Sequence, residues 1–336
     1  MNGGPINVLF TSVGRRVELV RAFRAAYAAL GLSGRILAVD VDPLAPALGE
    51  CDDVFMVPRT DEPHYVSTLV ELCARERVAL ILPLIDPDVP VLATHRDALD
   101  ATGARAMVLP AEAAVIVADK RATADLFADH DVPAPACWTA EDAEAASDLA
   151  FPAFVKPRFG SASADAHVVA DRAELRFWLE RVHEPIVQER LPGPEITSDV
   201  LCLDDGRAIA VVSRRRLEVR TGEVSKGVTV HDPDVARHCV RIAEALDARG
   251  PLTIQCLLRD DGTPAFTEVN ARFGGGAPLG FAAGMRSPEW LLAHAAGREP
   301  DPPPPGSYEV GLYMTRYDES VFLREEERAA LASRRP

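Results

Sequence analysis

A lysine at the mouth of a loop of small residues is the first feature of this sequence that could do chemistry. Lys156 ends an apolar, strand-like run in the segment FVKPRFGSAS, and Gly160, Ser161 and Ser163 follow it. Small residues let a backbone approach a ligand closely, and exposed N–H groups, hydroxyls and an ammonium together suit a phosphate. The segment therefore predicts a phosphate-binding loop, with a plain surface turn as the alternative.

Oxygen-bearing side chains converge further along the chain, in LTIQCLLRDDGTPAFTEVNARFGGG. The turn DDGT predicts a β-hairpin. If the second aspartate and the glycine of that turn form the loop, Gln255 lies directly across from Glu268, and Asn270 shares their face because alternate residues of a strand point the same way. Mg²⁺ takes such oxygen ligands together with waters and substrate phosphates. The hairpin therefore predicts a face that binds a metal nucleotide, although each side chain alone is typical of a solvent-facing residue.

The N-terminal part of the chain alternates between strand-like and helical segments. Apolar runs that are typical of buried strands occur at 6–12, 35–40, 53–58, 79–84 and 105–110, with helical stretches at 15–30, 62–76 and 87–101 between them. This alternation predicts a doubly wound parallel sheet. Ligands bind beyond the carboxyl ends of the strands in such sheets, where this chain has Ser12 to Arg16, Asp40 to Asp42 and Asp86 to Asp88.

The first of these segments, SVGRR, does not fit a dinucleotide site. It carries only Gly14 and lacks a G-x-G-x-x-G run, so nicotinamide binding is not expected. Arg15 and Arg16 stand at the start of a helix, where they could hold an anionic group together with backbone amides. The alternative is a solvated pair of arginines.

The pattern changes to α+β from about residue 113. The runs EITSDVLCL at 195–203 and AIAVVSRRRLEV at 208–219 flank the turn DDGR and predict an antiparallel hairpin. The proline-rich segment DPPPPG predicts a linker, followed by one more strand at 308–317 and a frayed, charged tail.

Composition and charge exclude several classes of function. A net charge of −15 repels polyanions, so no nucleic-acid partner is expected. The six cysteines occur singly, which indicates core residues in a reducing compartment. No apolar stretch approaches the roughly 18 residues that span a bilayer, so we expect a cytoplasmic protein without a membrane partner. The eight histidines are dispersed, and no Ser-His-Asp or Cys-His set is expected.

The order of these features resembles the ATP-grasp superfamily. Lys120 in DKRAT, Lys156, the segment VQERLPGPE at 187–195, and Gln255 with EVNARFGGG follow one another as in that superfamily. The chain is most similar to the carbamoyl-phosphate-synthase-like branch, in which a single ATP-grasp unit follows an N-terminal α/β domain, and the likeness covers about residues 6–297. The expected fold is an α/β domain with a doubly wound parallel sheet, followed by an α+β ATP-grasp fold of two subdomains.

The resemblance divides the chain into four segments. They are an N-terminal α/β domain at 1–112, a small lid subdomain at 113–187, a nucleotide- and metal-binding subdomain at 188–300, and a linker, strand and tail at 301–336. The chain is too short for a glutaminase or a second ATP-grasp unit, so complete carbamoyl phosphate synthesis is not expected of it.

The resemblance also implies a role for each candidate residue. The expected phosphate ligands are Lys120, Lys156, Ser161 and Ser163. The expected adenine contacts are Gln188, Glu189 and Leu191, and the expected ribose ligand is Glu195. The expected ligands of Mg²⁺, or of Mn²⁺ in its place, are Gln255, Glu268 and Asn270. Arg272 would stabilise charge on the transferring phosphoryl group, and the weaker catalytic candidates are Arg214, Arg216 and Lys226.

One segment departs from the family pattern. Where relatives usually carry a second glycine after the small-residue loop, this chain has Asp165 and Ala166. A carboxylate close to phosphates is unfavourable unless it points away or meets a cation. A protein that binds ATP without turnover is therefore an alternative.

The activity that the resemblance implies is ATP-dependent carboxylate-amine ligation. A substrate carboxylate would attack the γ-phosphate of ATP, and an amine would then displace phosphate from the acyl phosphate. The expected partners are small carboxylates and amines such as amino acids, in a site lined by Arg15, Arg16, Asp86 and the loop 274–278. The second enzymatic alternative is phosphorylation of bicarbonate or carbamate. A homodimer is expected by analogy only.

Overall fold

Three β-sheets form the fold in the computed structural model, which describes residues 4–160, 165–220, 222–304 and 306–336. The first sheet is parallel, with the strand order β3-β2-β1-β4-β5. Its strands are β1 (Asn7–Thr11), β2 (Ile36–Asp40), β3 (Asp53–Met56), β4 (Val78–Pro83) and β5 (Arg105–Ala106). Its helices are α1 (Val17–Leu30), α2 (Tyr65–Glu76), α3 (Asp88–Thr94) and α4 (Arg96–Asp100), with a 3-10 helix at Pro46–Glu50.

The N-terminal region confirms the predicted doubly wound parallel sheet. The strand order changes direction at β1, which places the loops after β1 and β4 side by side at one edge. Helix α1 buries Leu19, Phe23 and Ala26 and ends at Gly31 in the left-handed conformation. The helix predicted at 87–101 is instead divided at His95 into α3 and α4.

A small antiparallel sheet follows, with the order β6-β9-β7-β8. Helices α5 (Ala111–Ala118) and α6 (Lys120–Asp129) lead to it, and its elements are β6 (Cys137–Thr139), α7 (Ala140–Ala145), β7 (Ala153–Pro157), β8 (His167–Val169), α8 (Arg172–Leu179) and β9 (Pro185–Glu189). It has an apolar core of its own, to which Val155, Leu175 and Val187 contribute. Strand β9 crosses the boundary predicted between residues 187 and 188, and the domain limits stay a prediction.

A six-stranded sheet forms the second half, in the order β14-β13-β10-β11-β12-β15. Its elements are β10 (Glu195–Cys202), β11 (Ala208–Arg220), β12 (Glu223–Val230), α9 (Pro233–Ala245), β13 (Gly250–Leu258), β14 (Pro264–Asn270), α10 (Ala277–Ala282), α11 (Ser287–Ala295), β15 (Tyr313–Thr315) and α12 (Glu325–Ser333). One face packs on α9 through residues such as Ile254 and Ile242. The expected α+β part of the fold is confirmed.

Two expectations for the C-terminal part are wrong. The strand predicted at 308–317 covers only Tyr313–Thr315. The tail is docked rather than frayed, because α12 packs near β3 and the carbonyl oxygen of Arg334 accepts a hydrogen bond of 2.7 Å from Met56 N. Strand β3 lies at the edge of its sheet, and the unpaired backbone groups of an edge strand can form hydrogen bonds with another segment of chain.

Candidate active site

The hairpin β13–β14 brings the predicted metal ligands together. Gln255 pairs with Glu268 and Thr253 pairs with Asn270, as the sequence predicts. Beyond Gln255 the strands pair one residue out of the expected register, since Leu258 pairs with Pro264 instead of Ala265. A β-bulge between Gln255 and Cys256 accounts for this shift and leaves the expected pairing of Gln255 with Glu268 in place.

A single carboxylate oxygen joins three strands beside the metal face. Glu195 Oε1 accepts hydrogen bonds from Gln255 Nε2 at 2.9 Å, Arg216 Nη1 at 2.8 Å and Thr197 Oγ1 at 3.2 Å. Glu195 was expected at the ribose. The structure shows that it also fixes the orientation of Gln255 and Arg216, which lie on the strands on either side of it.

Arg272 connects the metal face to the N-terminal region. Its Nη2 atom donates to Asp86 Oδ2 at 2.9 Å and to Asn270 Oδ1 at 3.2 Å. Asp86 follows β4, so this ion pair ties the carboxyl edge of the parallel sheet to the end of β14. The guanidinium is thereby held beside the expected metal position.

The two predicted lysines approach the same face from the side of the small sheet. Lys156 Nζ donates to Gln188 Oε1 at 2.8 Å, and Lys120 Nζ donates to the Gly160 carbonyl at 2.7 Å. Burial lowers the pKa of Lys156 to about 8, with Glu268 opposing the shift and Lys120 adding to it. Burial also lowers the pKa of Lys120, again opposed by Glu268. The two ammonium groups therefore share one partly desolvated region with the Glu268 carboxylate.

The start of α6 is fixed by an ion pair that holds Lys120 in place. Asp119 caps the helix by accepting from the backbone N–H groups of Arg121 and Ala122. Its carboxylate also accepts from Arg158 Nε at 2.8 Å, and Lys120 N donates to the Arg158 carbonyl. Because Arg158 follows β7, the same contacts couple Lys120 to the strand that carries Lys156.

The expected adenine contacts lie at the end of β9. Gln188 is buried, and its side-chain oxygen accepts the hydrogen bond from Lys156. Glu189 accepts a hydrogen bond from Arg259 Nη1 at 2.7 Å. Hydrogen bonding from Arg259 holds the pKa of Glu189 below its usual value. Glu189 thus joins the small sheet to the turn of the β13–β14 hairpin, and Leu191 follows it half-buried. Their contact with adenine stays a prediction.

The lid loop is described only in part. Ser161 and Ser163 lie outside the described residues. Asp165, whose carboxylate raised the question of repulsion, lies 2.8 Å from His167 Nε2 through its Oδ1 atom. The ring of His167 stacks on Trp178 with 3.4 Å between centroids. The Asp165 side chain therefore has a hydrogen-bond partner within the small sheet.

Arg214 is fully buried and paired with a residue that the sequence reading missed. Its Nη1 atom donates to Asp199, and both side chains are less than a tenth exposed. Burial lowers the pKa of Arg214 to about 9. Asp199 and Thr197 share the polar face with Arg214, and the alternation in EITSD was the signal that could have identified them.

Lys226 is not brought to the cleft. Its Nζ atom donates to Glu218 Oε2 at 2.8 Å on the outer part of the hairpin β11–β12, and both side chains are about half exposed. The next residue, Gly227, pairs with Arg216 and so lies on the polar face. Because neighbouring residues of a strand point to opposite faces, Lys226 points away from the polar face. The expected catalytic role has no support from this position.

Two adjoining cavities follow the polar face of the sheet. The first, of about 220 Å³, lies between Lys120, Gly160 and the end of β14. The second, of about 310 Å³, lies between the sheet and the N-terminal loops. The residues that line the second cavity are Arg16, Asp86, Thr197, Arg214, Arg216, Gly222, Glu223, Val224, Thr253, Gln255, Glu268, Asn270, Arg272 and Gly274–Gly276. Asp86, Glu268 and Asn270 line both, so the cavities form one cleft.

The N-terminal loops contribute differently from what the sequence suggested. Arg16 lines the second cavity, whereas Arg15 does not and its side chain is exposed. Asp40 accepts from Gly14 N at 2.8 Å and so shapes the loop after β1. Asp88 is completely buried and accepts from the hydroxyls of Thr11 and Thr60. Of the acidic residues after the strands, Asp86 is the one that reaches the cleft.

The donor set fits a nucleotide-bound Mg²⁺ better than an ion held by protein alone. Within the described ranges, no group of three His, Cys, Asp or Glu side chains could hold a metal. Glu268 supplies one carboxylate, and Asn270 and Gln255 supply amide oxygens beside it. Mg²⁺ commonly uses one or two carboxylates and completes its shell with phosphates and waters. These residues fit such an ion when a polyphosphate shares it.

Family models match two parts of the chain. Residues 8–108 match the PylC-like N-terminal domain, and residues 181–314 match the family described as ATP-grasp in the biosynthetic pathway with Ter operon. Residues 181–314 therefore belong to an ATP-grasp family. No curated protein matches the sequence. None of the helices in the described part of the chain is long and apolar enough to cross a membrane.

Solved ATP-grasp structures share the fold at low sequence identity. The biotin carboxylase domain of 2-oxoglutarate carboxylase from Hydrogenobacter thermophilus, crystallised with MgADP and bicarbonate, is 16% identical, with a TM-score of 0.73 over 93% of this chain and 74% of that one. The L-amino acid ligase from Bacillus licheniformis is 18% identical, with a TM-score of 0.67 over 88% and 75%. The N5-carboxyaminoimidazole synthetase from Staphylococcus aureus, complexed with ADP, is 12% identical, with a TM-score of 0.70 over 92% and 82%. The similarity confirms the ATP-grasp fold that the motifs predicted.

Proposed function

We propose that this ATP-grasp protein is an ATP- and Mg²⁺-dependent ligase. It activates a small-molecule carboxylate as an acyl phosphate and joins it to an amine, with release of ADP and phosphate. The observation that carries the proposal is the convergence of Lys120, Lys156 and Arg272 on the face that holds Glu268 and Asn270. The ADP- and MgADP-bound structures of the same fold support it.

The cleft has the charge pattern that phosphoryl transfer needs. Two ammonium groups approach from the small sheet and one guanidinium from the end of β14, so cations surround a position beside Glu268. Fixed cations in a partly desolvated site stabilise developing negative charge without reorganising. Lys156 and Lys120 would hold the triphosphate, and Arg272 would stabilise charge on the transferring phosphoryl group. Glu268, Asn270 and Gln255 would hold Mg²⁺, which neutralises phosphate charge when bound.

The reaction consists of two balanced displacements. A carboxylate oxygen forms a bond to the γ-phosphorus while the bond from that phosphorus to ADP breaks, and ADP leaves with the electron pair. The amine nitrogen then forms a bond to the acyl carbon and loses a proton, while the bond from that carbon to phosphate breaks. Closing the small sheet over the cleft would exclude water, which would otherwise hydrolyse the acyl phosphate.

The experiment that tests this proposal measures ADP release and hydroxamate formation. The purified chain is incubated with Mg-ATP, hydroxylamine and pools of small carboxylates with amino acids. We expect ADP and hydroxamate to appear together for at least one pool and to disappear when Mg²⁺ is removed, with Mn²⁺ tested as a substitute. ADP that depends on bicarbonate alone, or tight Mg-ATP binding without ADP, would overturn the ligase assignment.

A matched pair of lysine variants connects that activity to the cleft. Lys156→Met removes a partly buried cation beside Glu268, and we expect ADP formation to fall by about 100- to 1,000-fold. Lys226→Met removes a cation from an exposed pair with Glu218, and we expect activity to stay within about twofold. Equal losses in the two variants would contradict the placement of the triphosphate.

A further inference from the structure

The cavity wall formed by the β1–α1 loop holds an arginine that the proposed function leaves without a ligand. Arg16 Nη1 donates to Glu223 Oε1 at 3.1 Å, across 207 residues of sequence. Both residues line the cavity that also contains Arg272 and Asn270. The side chain of Arg16 is 18% exposed, and this exposed part borders the cavity.

Glu223 acts as an anchor for Arg16. Arg316 Nη1 donates to the second oxygen of Glu223 at 3.1 Å, and Arg316 Nη2 donates to Glu18 at 3.1 Å. Burial raises the pKa of Glu223, but the charges of Arg16 and Arg316 outweigh this and hold it below its usual value. The carboxylate therefore stays ionised. Its Oε1 atom holds Arg16 against the start of β12, while its Oε2 atom accepts from Arg316.

The guanidinium of Arg16 retains donors for a ligand. An arginine offers N–H groups on three nitrogens, and among the described residues the side chain of Arg16 makes only the bond to Glu223. Gly275 lies directly against this pair. A Cβ on Gly275 would lie 2.9 Å from Arg16 Nη1 and 3.0 Å from Glu223 Cδ, so a larger residue would require the ends of these two side chains to shift. The loop at Gly275 therefore lies close to the guanidinium of Arg16, whose remaining donors face the cavity.

A second guanidinium lies close enough to repel the first. The charge of Arg272 lowers the pKa of Arg16, in addition to the larger effect of burial. Asp86 offsets part of this repulsion, because its carboxylate pairs with Arg272 and also raises the pKa of Arg16. Two partly desolvated cations that line one cavity favour a ligand that carries a negative charge for each of them.

We propose that Arg16 binds a second anionic group of the carboxylate substrate, so that the substrates are small acids with two anionic groups. One carboxylate is activated beside Arg272, and the other group is held by Arg16. The inference rests on the proposed function and adds the substrate class to it. Glu223 and Arg316 are positioning residues for Arg16 in this scheme.

The test compares acids that differ only in the second anionic group. The Mg-ATP and hydroxylamine assay is run with succinate, glutarate, aspartate and glutamate, and with their matched partners butyrate, valerate, asparagine and glutamine. We expect hydroxamate from at least one diacid at a rate at least tenfold above its partner. A phosphonate in place of the second carboxylate shows whether that group is a carboxylate or a phosphate.

The Arg16→Gln variant connects this selectivity to one side chain. We expect its kcat/KM for the preferred diacid to fall by about 10- to 100-fold, mostly through KM, with little change for the matched monoacid. Arg16→Lys should recover part of the loss, because the charge remains while the fork of donors is lost. The control is Arg15→Gln, which removes an exposed charge next to it and should leave both acids unchanged. The Kd for Mg-ATP verifies that each variant is folded.

The outcomes separate the substrate class from the activity. Monoacids that are used as well as diacids, or an Arg16→Gln variant that affects both alike, would overturn the inference and leave the ligase assignment intact. The absence of hydroxamate from every acid, in a wild-type protein that binds Mg-ATP, would overturn the ligase assignment and the inference with it.

Discussion

The two faces of the six-stranded sheet have opposite roles although they are built from the same strands. On one face, Ile254 and Val269 are buried with Ile242 of α9 in an apolar core. On the other, Gln255 and Glu268, which each stand next to one of these residues in sequence, line the cleft. Because side chains alternate along a strand, a shift of one residue would exchange the two faces. The register of β13 against β14 therefore fixes the core and the site together.

The polar face itself has two kinds of residue. Gln255, Glu268 and Asn270 line the cleft and are expected to meet ligands. Asp199 is buried with Arg214 and makes contacts within the protein. This difference predicts that substitution of a residue that lines the cleft lowers activity, and that substitution of Asp199 lowers stability.

The largest expected effect is on the buried ion pair. Asp199→Asn would leave the Arg214 charge buried without its counter-ion, and we expect the free energy of unfolding to fall by about 3–5 kcal/mol. Denaturant unfolding measures this loss. A double variant with Asp199→Leu and Arg214→Met serves as control and should regain most of the stability, because no charge remains buried. A fully stable Asp199→Asn protein would remove the distinction between the two kinds of polar residue.

The next effect separates the two faces directly. Glu268→Gln keeps the size of the side chain but removes the one carboxylate of the metal face, and we expect kcat for ADP formation to fall by about 100- to 1,000-fold. Ile254→Val, on the apolar face, should cost about 0.5–1.5 kcal/mol of stability and leave kcat unchanged. Equal loss of activity in both variants would show that the faces are not functionally distinct.

A smaller effect should appear with pH. The pKa of Lys156 lies at about 8 in the folded protein without nucleotide, below its usual value of 10.5, so the ammonium is present below pH 8 and is lost as the pH rises. We expect the KM for ATP to rise above pH 8, approaching tenfold per pH unit. The Lys156→Met variant should show no such rise, and an unchanged pH profile in the wild type would argue against contact between Lys156 and the phosphates.

The smallest effect is expected outside the cleft. Lys226→Ala breaks an exposed pair with Glu218, and we expect less than about 1 kcal/mol of stability to be lost. Thermal unfolding measures the change in stability, and ADP release measures whether activity is retained. A large loss of activity would restore the catalytic role that the sequence suggested for Lys226.

Local patterns in the sequence predicted much of the site. The alternation of apolar runs with helical spacings specified the parallel sheet, and the DDGT turn placed Gln255 opposite Glu268. The bulge beside Gln255 was not predicted, since an extra residue in a strand leaves no signature in a period-2 pattern. The helix break at His95 was missed for a related reason, because the helical spacing continues across it.

Residues whose partners are far away in sequence could not be identified. Glu223 and Arg316 belong to no local motif, and their role becomes visible only through their contacts with Arg16, which lies in the N-terminal part of the chain. The tail was expected to be frayed because it is rich in charged residues, and the unpaired edge of β3 that holds it is a property of the folded sheet.

The sequence by itself determined the elements of this protein, because helix and strand periodicity, turn chemistry and alternation act over a few neighbouring residues. It also determined which residue types stand on the metal face, since Gln255, Glu268 and Asn270 lie on one hairpin. Only the tertiary structure decided how the cleft is closed. The pairs of Arg16 with Glu223 and of Asp86 with Arg272 span 207 and 186 residues. Such pairs form only when packing of the two halves brings their loops together, and no local rule specifies them.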